Sequence, residues 1–536
     1  MKARRALAGT SVGVWVLLVL FVFISIAPAA DSGQWIVVTP PAFRNALVPL
    51  IERRQAQGFK VVVLDTTDIF SPQQLQQGDG TPLLARLKAL CQPGRTPAYV
   101  LLAGICITTA QVNAERIVPS LRGTVERMKG QPTDSGYGLP GPDGMPAISV
   151  GRFPARTADE LAGMVRKTIA FEQAASPAPW RNRLLLLLGN PGGGPFAEMF
   201  VAQELQTDLA SLYPGWEMRT LFNASSSPFY LPRPHDHDTA LRYLQEGQLF
   251  SIFLGHSYAG GMGLDGKFLL RPEWEDMNIP QGAGPFFTCG CFACQPNEND
   301  PGYGLAAMRN PSGPVAVIGA SGLTYSATGQ LAVEGLLGSL ERPPFPERLG
   351  QYWLAVQAGL ARGKMDPGTF ALMDMADGSL GKTPLPVQRL EHLEMWLLLG
   401  DPALRLPVIL DDITLSADGP VKPGSNLKVS GVLPDRLSNA AVHVTLERPL
   451  NSTSSALEPV PPNSPENRRA RERILIANHH RANSYVLTEA DAVAVGKTFS
   501  VSLAVPAALP WTNLTLKASA TTSNESGLGV LVLRKP

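Results

Sequence analysis

Apolar residues in this chain fall into short unbroken runs separated by amphipathic stretches, and that alternation predicts an α/β architecture. "WIVVTPPAF" reads as a buried strand stopped by Pro40-Pro41, "FRNALVPLIERRQAQG" as a helix ending at Gly58, and "KVVVLDT" as the next strand. Strand, helix, strand with wholly apolar strands implies a parallel sheet covered on both faces, because each parallel crossover lays a helix over one face. A helix over Leu83 to Leu90 leads into the strand "AYVLLAGI". "AISVGRFPART" is a strand running into a turn, and "ADELAGMVRKTIAFEQ" an amphipathic helix with an acidic first turn. Between them, residues 108–146 are rich in Gly, Pro and polar side chains and read as a long surface excursion that holds "PTDSGYG".

A second alternation starts at Trp180. "RLLLLLGNPGGGPF" is a strand and glycine turn, and "AEMFVAQELQTDLASLY" the following helix. The turn lacks the Gly-Lys-Ser/Thr ending of a phosphate loop and the context of a dinucleotide fingerprint, so neither is assigned. "TALRYLQEG" (helix), "LFSIFLGH" (strand), "GPFFTCGC" (strand), "GYGLAAMR" (helix) and "GPVAVIGAS" (strand) follow, and "LGQYWLAVQAGLARG" and "LEHLEMWLLLGDPALRL" close this part. Beyond about Pro407 the period changes to two. "NLKVSGVL", "AAVHVTLERP", "KTFSVSLAVP" and "LTLKASATT" alternate as strands of a β-sandwich, with "NSTSSALEPVPPNSPENRRARER" as an extended loop between them. The expected organisation is an N-terminal segment over 1–30, α/β subdomains over 31–175 and 176–407, and a β domain over 408–536.

Charge alters this picture little. The 46 basic and 45 acidic side chains nearly cancel, which gives no electrostatic ground for a nucleic-acid partner. The N-terminus adds more. Lys2, Arg4 and Arg5 precede an apolar run that ends in Ala27-Pro28-Ala29-Ala30, the layout of an export signal with a signal-peptidase site. The length of the run, with Trp15 and Phe21 in it, also suits a retained membrane anchor. The expected location is therefore outside the cytoplasm: extracellular, periplasmic or at the cell surface.

Candidate chemistry centres on one of the seven histidines. His256 ends an apolar strand directly after Gly255, and the next strand ends in Cys289 and Cys291. Groups just past the carboxyl ends of parallel strands share a crevice. If the two strands are neighbours, imidazole and thiol lie side by side, the imidazole able to take the thiol's proton, and the backbone N–H groups of Ser257 and Cys291 able to hold an oxyanion. The reaction class is acyl transfer. The other readings are a buried structural thiol, a Cys289–Cys294 or Cys91–Cys106 disulfide, and a metal site on Cys289, Cys291 and Cys294. In "RPHDHD" Asp238 reads as the N-cap of the next helix rather than as part of a metal cluster.

These pieces resemble the gingipain-type cysteine peptidases, which share a fold with caspases and legumains. "AYVLLAGI", "PTDSGYG", "AISVGRFPART" with "VRKTIAFE", "FLGH", "PFFTCGCFAC" and "LLLGDPALRL" stand in that family's order between Trp35 and Leu406. The resemblance implies a caspase-like parallel-sheet catalytic region followed by an immunoglobulin-like β-sandwich, with His256 as catalytic imidazole and Cys291 as nucleophile, Cys289 being the alternative. It implies a protein or peptide substrate cut through a Cys–His dyad and an acyl-enzyme. Calcium accompanies the family, and no ligand set for it is legible here.

Three departures qualify the match. Ser257 stands where Gly-His-Gly is usual, Ile105 replaces an aspartate, and Asn190 occupies the turn that often supplies an acidic partner to the histidine. Asn190 is the candidate for orienting the ring. Glu198 and Glu204 lie near a specificity pocket by sequence but read as the exposed face of a helix. Two other functions suit the same fold: a sortase-like surface enzyme that cuts and rejoins the tails of secreted proteins, and a non-catalytic surface binding protein.

Overall fold

The structure, a computed structural model, describes residues 33–94, 96–107, 114–174, 178–191, 194–263 and 268–535. The N-terminal export or anchor segment lies outside the described residues. Among those described, no helix is long and apolar enough to cross a membrane.

Ten strands form one sheet: β1 (Gln34–Thr39), β2 (Lys60–Asp65), β3 (Ala98–Ala103), β4 (Ile148–Phe153), β5 (Arg183–Leu188), β6 (Glu217–Phe222), β7 (Phe250–Leu254), β8 (Phe286–Cys289), β9 (Val317–Ala320) and β10 (Trp396–Leu399). Their order is β2-β1-β3-β4-β10-β9-β8-β7-β5-β6. The sheet is mixed rather than wholly parallel. β10 runs parallel to β4 but antiparallel to β9, so two parallel halves meet there with opposite directions. The carboxyl ends of β5, β7, β8 and β9 consequently gather at one edge.

Both faces are covered, as the unbroken apolar strands require. The helices α1 (Arg44–Ala56), α2 (Thr81–Leu90), α3 (Ala158–Glu172), α4 (Pro195–Ser211), α5 (His235–Gln245) and α6 (Tyr303–Arg309) lie along the sheet; on one face α1, α3, α5 and α6 pack with Leu185, Leu187, Phe253 and Phe286. On the opposite face α4 joins α7 (Ser326–Gly338) and α8 (Leu349–Arg362) over Leu186, Leu188, Ile252 and Phe287, while α2 covers Val100 and Leu102 of β3. The helices α9 (Pro367–Ala376) and α10 (Leu385–Met395) complete this part of the chain.

Several motif residues of the sequence prove to hold this scaffold. Arg54 on α1 is fully buried and donates to both Asp401 (Nη2–Oδ2 2.8 Å) and Glu172 (Nη1–Oε1 2.8 Å), while the Trp35 indole donates to Asp401 (3.0 Å). Arg152 on β4 is likewise buried and donates to both carboxylate oxygens of Asp134 (2.8 and 2.7 Å). These charges are tolerated inside only because each is paired and hydrogen-bonded. The second pair corrects the reading of 108–146. Residues 108–113 lie outside the described residues, but Thr133, Asp134 and Tyr137 are buried, with the Tyr137 hydroxyl donating to Pro119 O (2.8 Å). The composition that mimicked a surface loop serves to satisfy a buried arginine.

The C-terminal part contains β11 (Thr414–Ala417), β12 (Asn426–Val432), β13 (Ala441–Glu447), β14 (Val486–Val493), β15 (Thr498–Ala504), β16 (Asn513–Thr521) and β17 (Ser526–Arg534), in antiparallel sheets ordered β11-β12-β15 and β14-β13-β16-β17. Val429, Leu503, Val442, Val444, Leu514 and Leu516 of the two sheets share one core. One expectation fails here. The stretch read as an extended loop, residues 451–473, runs at its basic end into α11 (Arg468–Asn483), whose Leu475, His479 and Ala482 are buried; the arginines of that end mark the solvent side of a helix.

Candidate active site

The strands β7 and β8 are parallel neighbours, and their last residues, Leu254 and Cys289, lie side by side. His256 and Cys291 each stand two residues beyond that shared edge. Gly255 makes the departure feasible: its φ is +156°, and a Cβ there would lie 3.0 Å from the Cα of Gly189. Its N–H donates to Cys289 O (3.2 Å), tying the two strand ends together as the chains leave the sheet. The imidazole is exposed and the thiol half-buried.

A chain of side-chain hydrogen bonds connects the two turns. Ser257 Oγ donates to Cys291 O (2.8 Å), and Tyr303 Oη, itself 2.6 Å from Thr288 Oγ1, reaches Ser257 Oγ (3.4 Å). The room that Ser257 needs is provided by Gly290, where a Cβ would sit 2.2 Å from the serine oxygen. Thus the side chain that departs from Gly-His-Gly straps the histidine turn to the cysteine turn. Ser257 also pairs with Met262 in a short ribbon, and the flanking Gly263 N–H to His256 O bond (2.8 Å) makes this a non-hydrogen-bonded pair, so the Ser257 N–H points away from the ribbon.

The ring Nε2 of His256 lies 3.3 Å from Pro191 O. A carbonyl only accepts, so Nε2 carries the proton in this contact and Nδ1 holds the lone pair. That acceptor is one residue past Asn190, the side chain the sequence nominated. Cys291 Sγ is 3.2 Å from Thr324 Oγ1 and accepts from Thr324 N–H (3.4 Å). The next residue, Phe292, holds φ +58° with its N–H on Gly322 O (2.9 Å), a strained conformation that bends the chain sharply after the sulfur.

Of the remaining cysteines, Cys289 lines the same cavity as Cys291 but is more deeply set. Cys289 Sγ packs against Gly329 of α7, and burial pushes its thiol up to about 12. Cys294 is fully buried against Gly304 and Gly319, among the residues of the opposite sheet face. A Cys289–Cys294 disulfide is therefore not formed, nor one between Cys91 and Cys106: all five cysteines are free. The same separation prevents Cys289 and Cys294 from sharing a metal, and among the described residues no cluster of three or more His, Cys, Asp or Glu could hold one. The capping role given to Asp238 also falls, since α5 begins at His235 with Pro234 as its N-cap. His237 bonds Glu273 there (2.5 Å).

His256 and Cys291 open onto one cavity of about 230 Å³, walled by Leu188, Val201, Leu205, Ile252 and Leu254. Asp377, whose carboxylate accepts from Ser326 N–H (2.7 Å) and Oγ (2.6 Å) at the start of α7, lies on the same wall. Glu204 and Asp208 also face it, which corrects the reading of Glu204 as a residue of an exposed helix face; Glu198 instead accepts from Ser226 Oγ (2.7 Å) and lies off the cavity wall. Gln330 Nε2 donates to Glu204 (3.0 Å) and Glu334 (2.9 Å). Burial, with the charges of Glu334 and Glu204 beside it, pushes the Asp208 carboxyl up to about 7. Spacing on α4 places Glu204 and Asp208 one turn apart on one face, the only signal in the sequence that they act together.

Comparison with known proteins adds an independent line. The model of peptidase family C25 matches residues 29–407. Among solved structures, that of the Arg-specific cysteine proteinase gingipain R aligns with a TM-score of 0.52 at 15% identity, covering 94% of this chain and 98% of that one. The complex of the RgpB pro- and mature domains from Porphyromonas gingivalis aligns with the same score and identity, covering 94% and 100%. At such identity these likenesses concern the fold. No curated protein matches the chain.

Proposed function

The chain belongs to peptidase family C25, the gingipain family of cysteine peptidases, and from that premise we propose that it is an exported endopeptidase working through Cys291 and His256. The observation that carries this reading is the equal step of both residues past the paired ends of β7 and β8 into a single cavity. His256 takes the proton from Cys291 Sγ, and the thiolate attacks the substrate carbonyl. The N–H groups of Cys291 and Ser257 receive the oxyanion. His256 then protonates the leaving amine, and water assisted by the neutral ring hydrolyses the thioester and restores the thiol. Supporting the choice of Cys291 over Cys289 are the high proton affinity of the buried Cys289 thiol and its place against α7.

The cavity beside the sulfur receives the side chain that precedes the scissile bond. Its apolar walls suit a long aliphatic stem, and Glu204 with Asp208 suits a cationic end, so we propose cleavage after Arg or Lys. The two antiparallel C-terminal sheets are read as an immunoglobulin-like sandwich. An electrophilic peptide probe should label Cys291, and Cys291→Ala should abolish labelling; unchanged labelling would contradict the assignment. On a peptide panel, the Glu204→Gln/Asp208→Asn double variant should lower kcat/KM for basic residues by tenfold or more, on the order expected for losing hydrogen bonds to a charge, and leave leucine substrates nearly unchanged.

A further inference from the structure

We propose that Thr324 is a further catalytic residue, one that holds the sulfur of Cys291 as a thiolate. The proposal rests on the reading of Cys291 and His256 as the working pair. Two donors of one residue converge on one atom: the Thr324 hydroxyl at 3.2 Å from Sγ and the Thr324 N–H at 3.4 Å. In the thiol, S–H can donate to the hydroxyl oxygen while the backbone N–H points at sulfur. Once the proton has passed to Nδ1 of His256 and sulfur keeps the electron pair, the hydroxyl rotates and donates as well. The anionic form then has two hydrogen bonds directed at it, a preference that lowers the cost of ionisation. When the pair forms the bond to the substrate carbon, the charge moves to the carbonyl oxygen and the hydroxyl is released.

The surroundings fix Thr324 in place before any substrate binds. It lies between β9 and α7 in a segment anchored at successive points: Phe292 N–H to Gly322 O (2.9 Å), Cys294 N–H to Ala320 O (2.8 Å), Ser321 N–H to Met395 O (3.0 Å) and Tyr325 N–H to His392 Nε2 (2.9 Å). His392 is fully buried, and burial with the nearby Arg127 charge pushes it down to about 3, so this anchor stays a neutral acceptor. With the segment held this rigidly, the Thr324 N–H is already in place when charge appears on sulfur, and only the hydroxyl proton turns.

The test measures iodoacetamide alkylation of Cys291 against pH in the full chain, mapped by mass spectrometry, for wild type, Thr324→Val, Thr324→Ala and Thr324→Ser. Losing the hydroxyl should move the half-plateau upward by about one pH unit, a roughly tenfold slower reaction at pH 6, and Thr324→Ser should restore the wild-type profile. Protection of the buried Cys294 reports that each variant is folded, and Thr324→Ala serves if valine disturbs the loop. Superimposable profiles for wild type and the hydroxyl-free variants would overturn the proposal alone. A wild-type Cys291 that titrates as an ordinary thiol would overturn it together with the dyad reading.

Discussion

Asp208 is a carboxyl that the fold holds protonated well above its ordinary range, near pH 7, through burial and the neighbouring Glu334 and Glu204. Its folded form binds a proton more tightly than the unfolded chain does, so stability is present at low pH and declines as pH rises from about 4 towards about 7. Asp208→Asn should therefore raise the Tm at pH 8 and leave it nearly unchanged at pH 4 in differential scanning calorimetry; an equal shift at both would show that ionisation is not the cause. At this scale the sequence is only partly legible. His256 and Cys291 stand out because each ends an apolar run, whereas Cys289 and Cys291 could not be separated by pattern, since residues two apart share a strand face. The structure separates them by ending β8 at Cys289. Thr324 carried no signal, because it meets the sulfur across 33 positions of sequence.

At the scale of elements, the apolar runs identified the strands well, but the buried ion pairs that bind them, Arg54 with Asp401 and Glu172, and Arg152 with Asp134, were not legible, because their members meet only through the fold. What pattern could not provide was the direction of β10 or the helix within the basic stretch before Asn483. Both depend on tertiary partners. The end of α11 shows how: Asn483 Oδ1 accepts from Thr220 N–H (2.7 Å) and its Nδ2 donates to Thr220 O (3.0 Å), so one side-chain amide continues the hydrogen bonding of the edge strand β6. Such a cap blocks an open sheet edge. Asn483→Ala leaves two buried backbone groups unsatisfied and should cost about 1–3 kcal/mol in urea unfolding; a change within a few tenths would show that water replaces the amide without loss.

Across the whole molecule, α11 joins the C-terminal sheets to the α/β part. His479 donates from Nδ1 to Phe229 O (2.9 Å) and accepts at Nε2 from Tyr243 Oη (3.0 Å), and burial pushes the ring down to about 4. The folded state thus keeps His479 neutral while the unfolded chain protonates below about 6.5; the contact's stability is full above that value and is lost as pH falls towards 4. Hydrogen-exchange protection of α11, corrected for intrinsic rates, should fall between pH 7 and 5 in wild type and not in His479→Gln. A decline of equal size in the variant would place the acid sensitivity elsewhere.

The central claim is that Cys291 and His256 act as one unit at the edge shared by β7 and β8, and its most direct measurement is the pH profile of Cys291 alkylation in wild type and in His256→Ala. The account predicts a wild-type Cys291 that reacts well below the pH of an ordinary thiol and loses that reactivity when the imidazole is removed. A wild-type thiol that reacts only at alkaline pH, or a profile unaffected by His256→Ala, would contradict it.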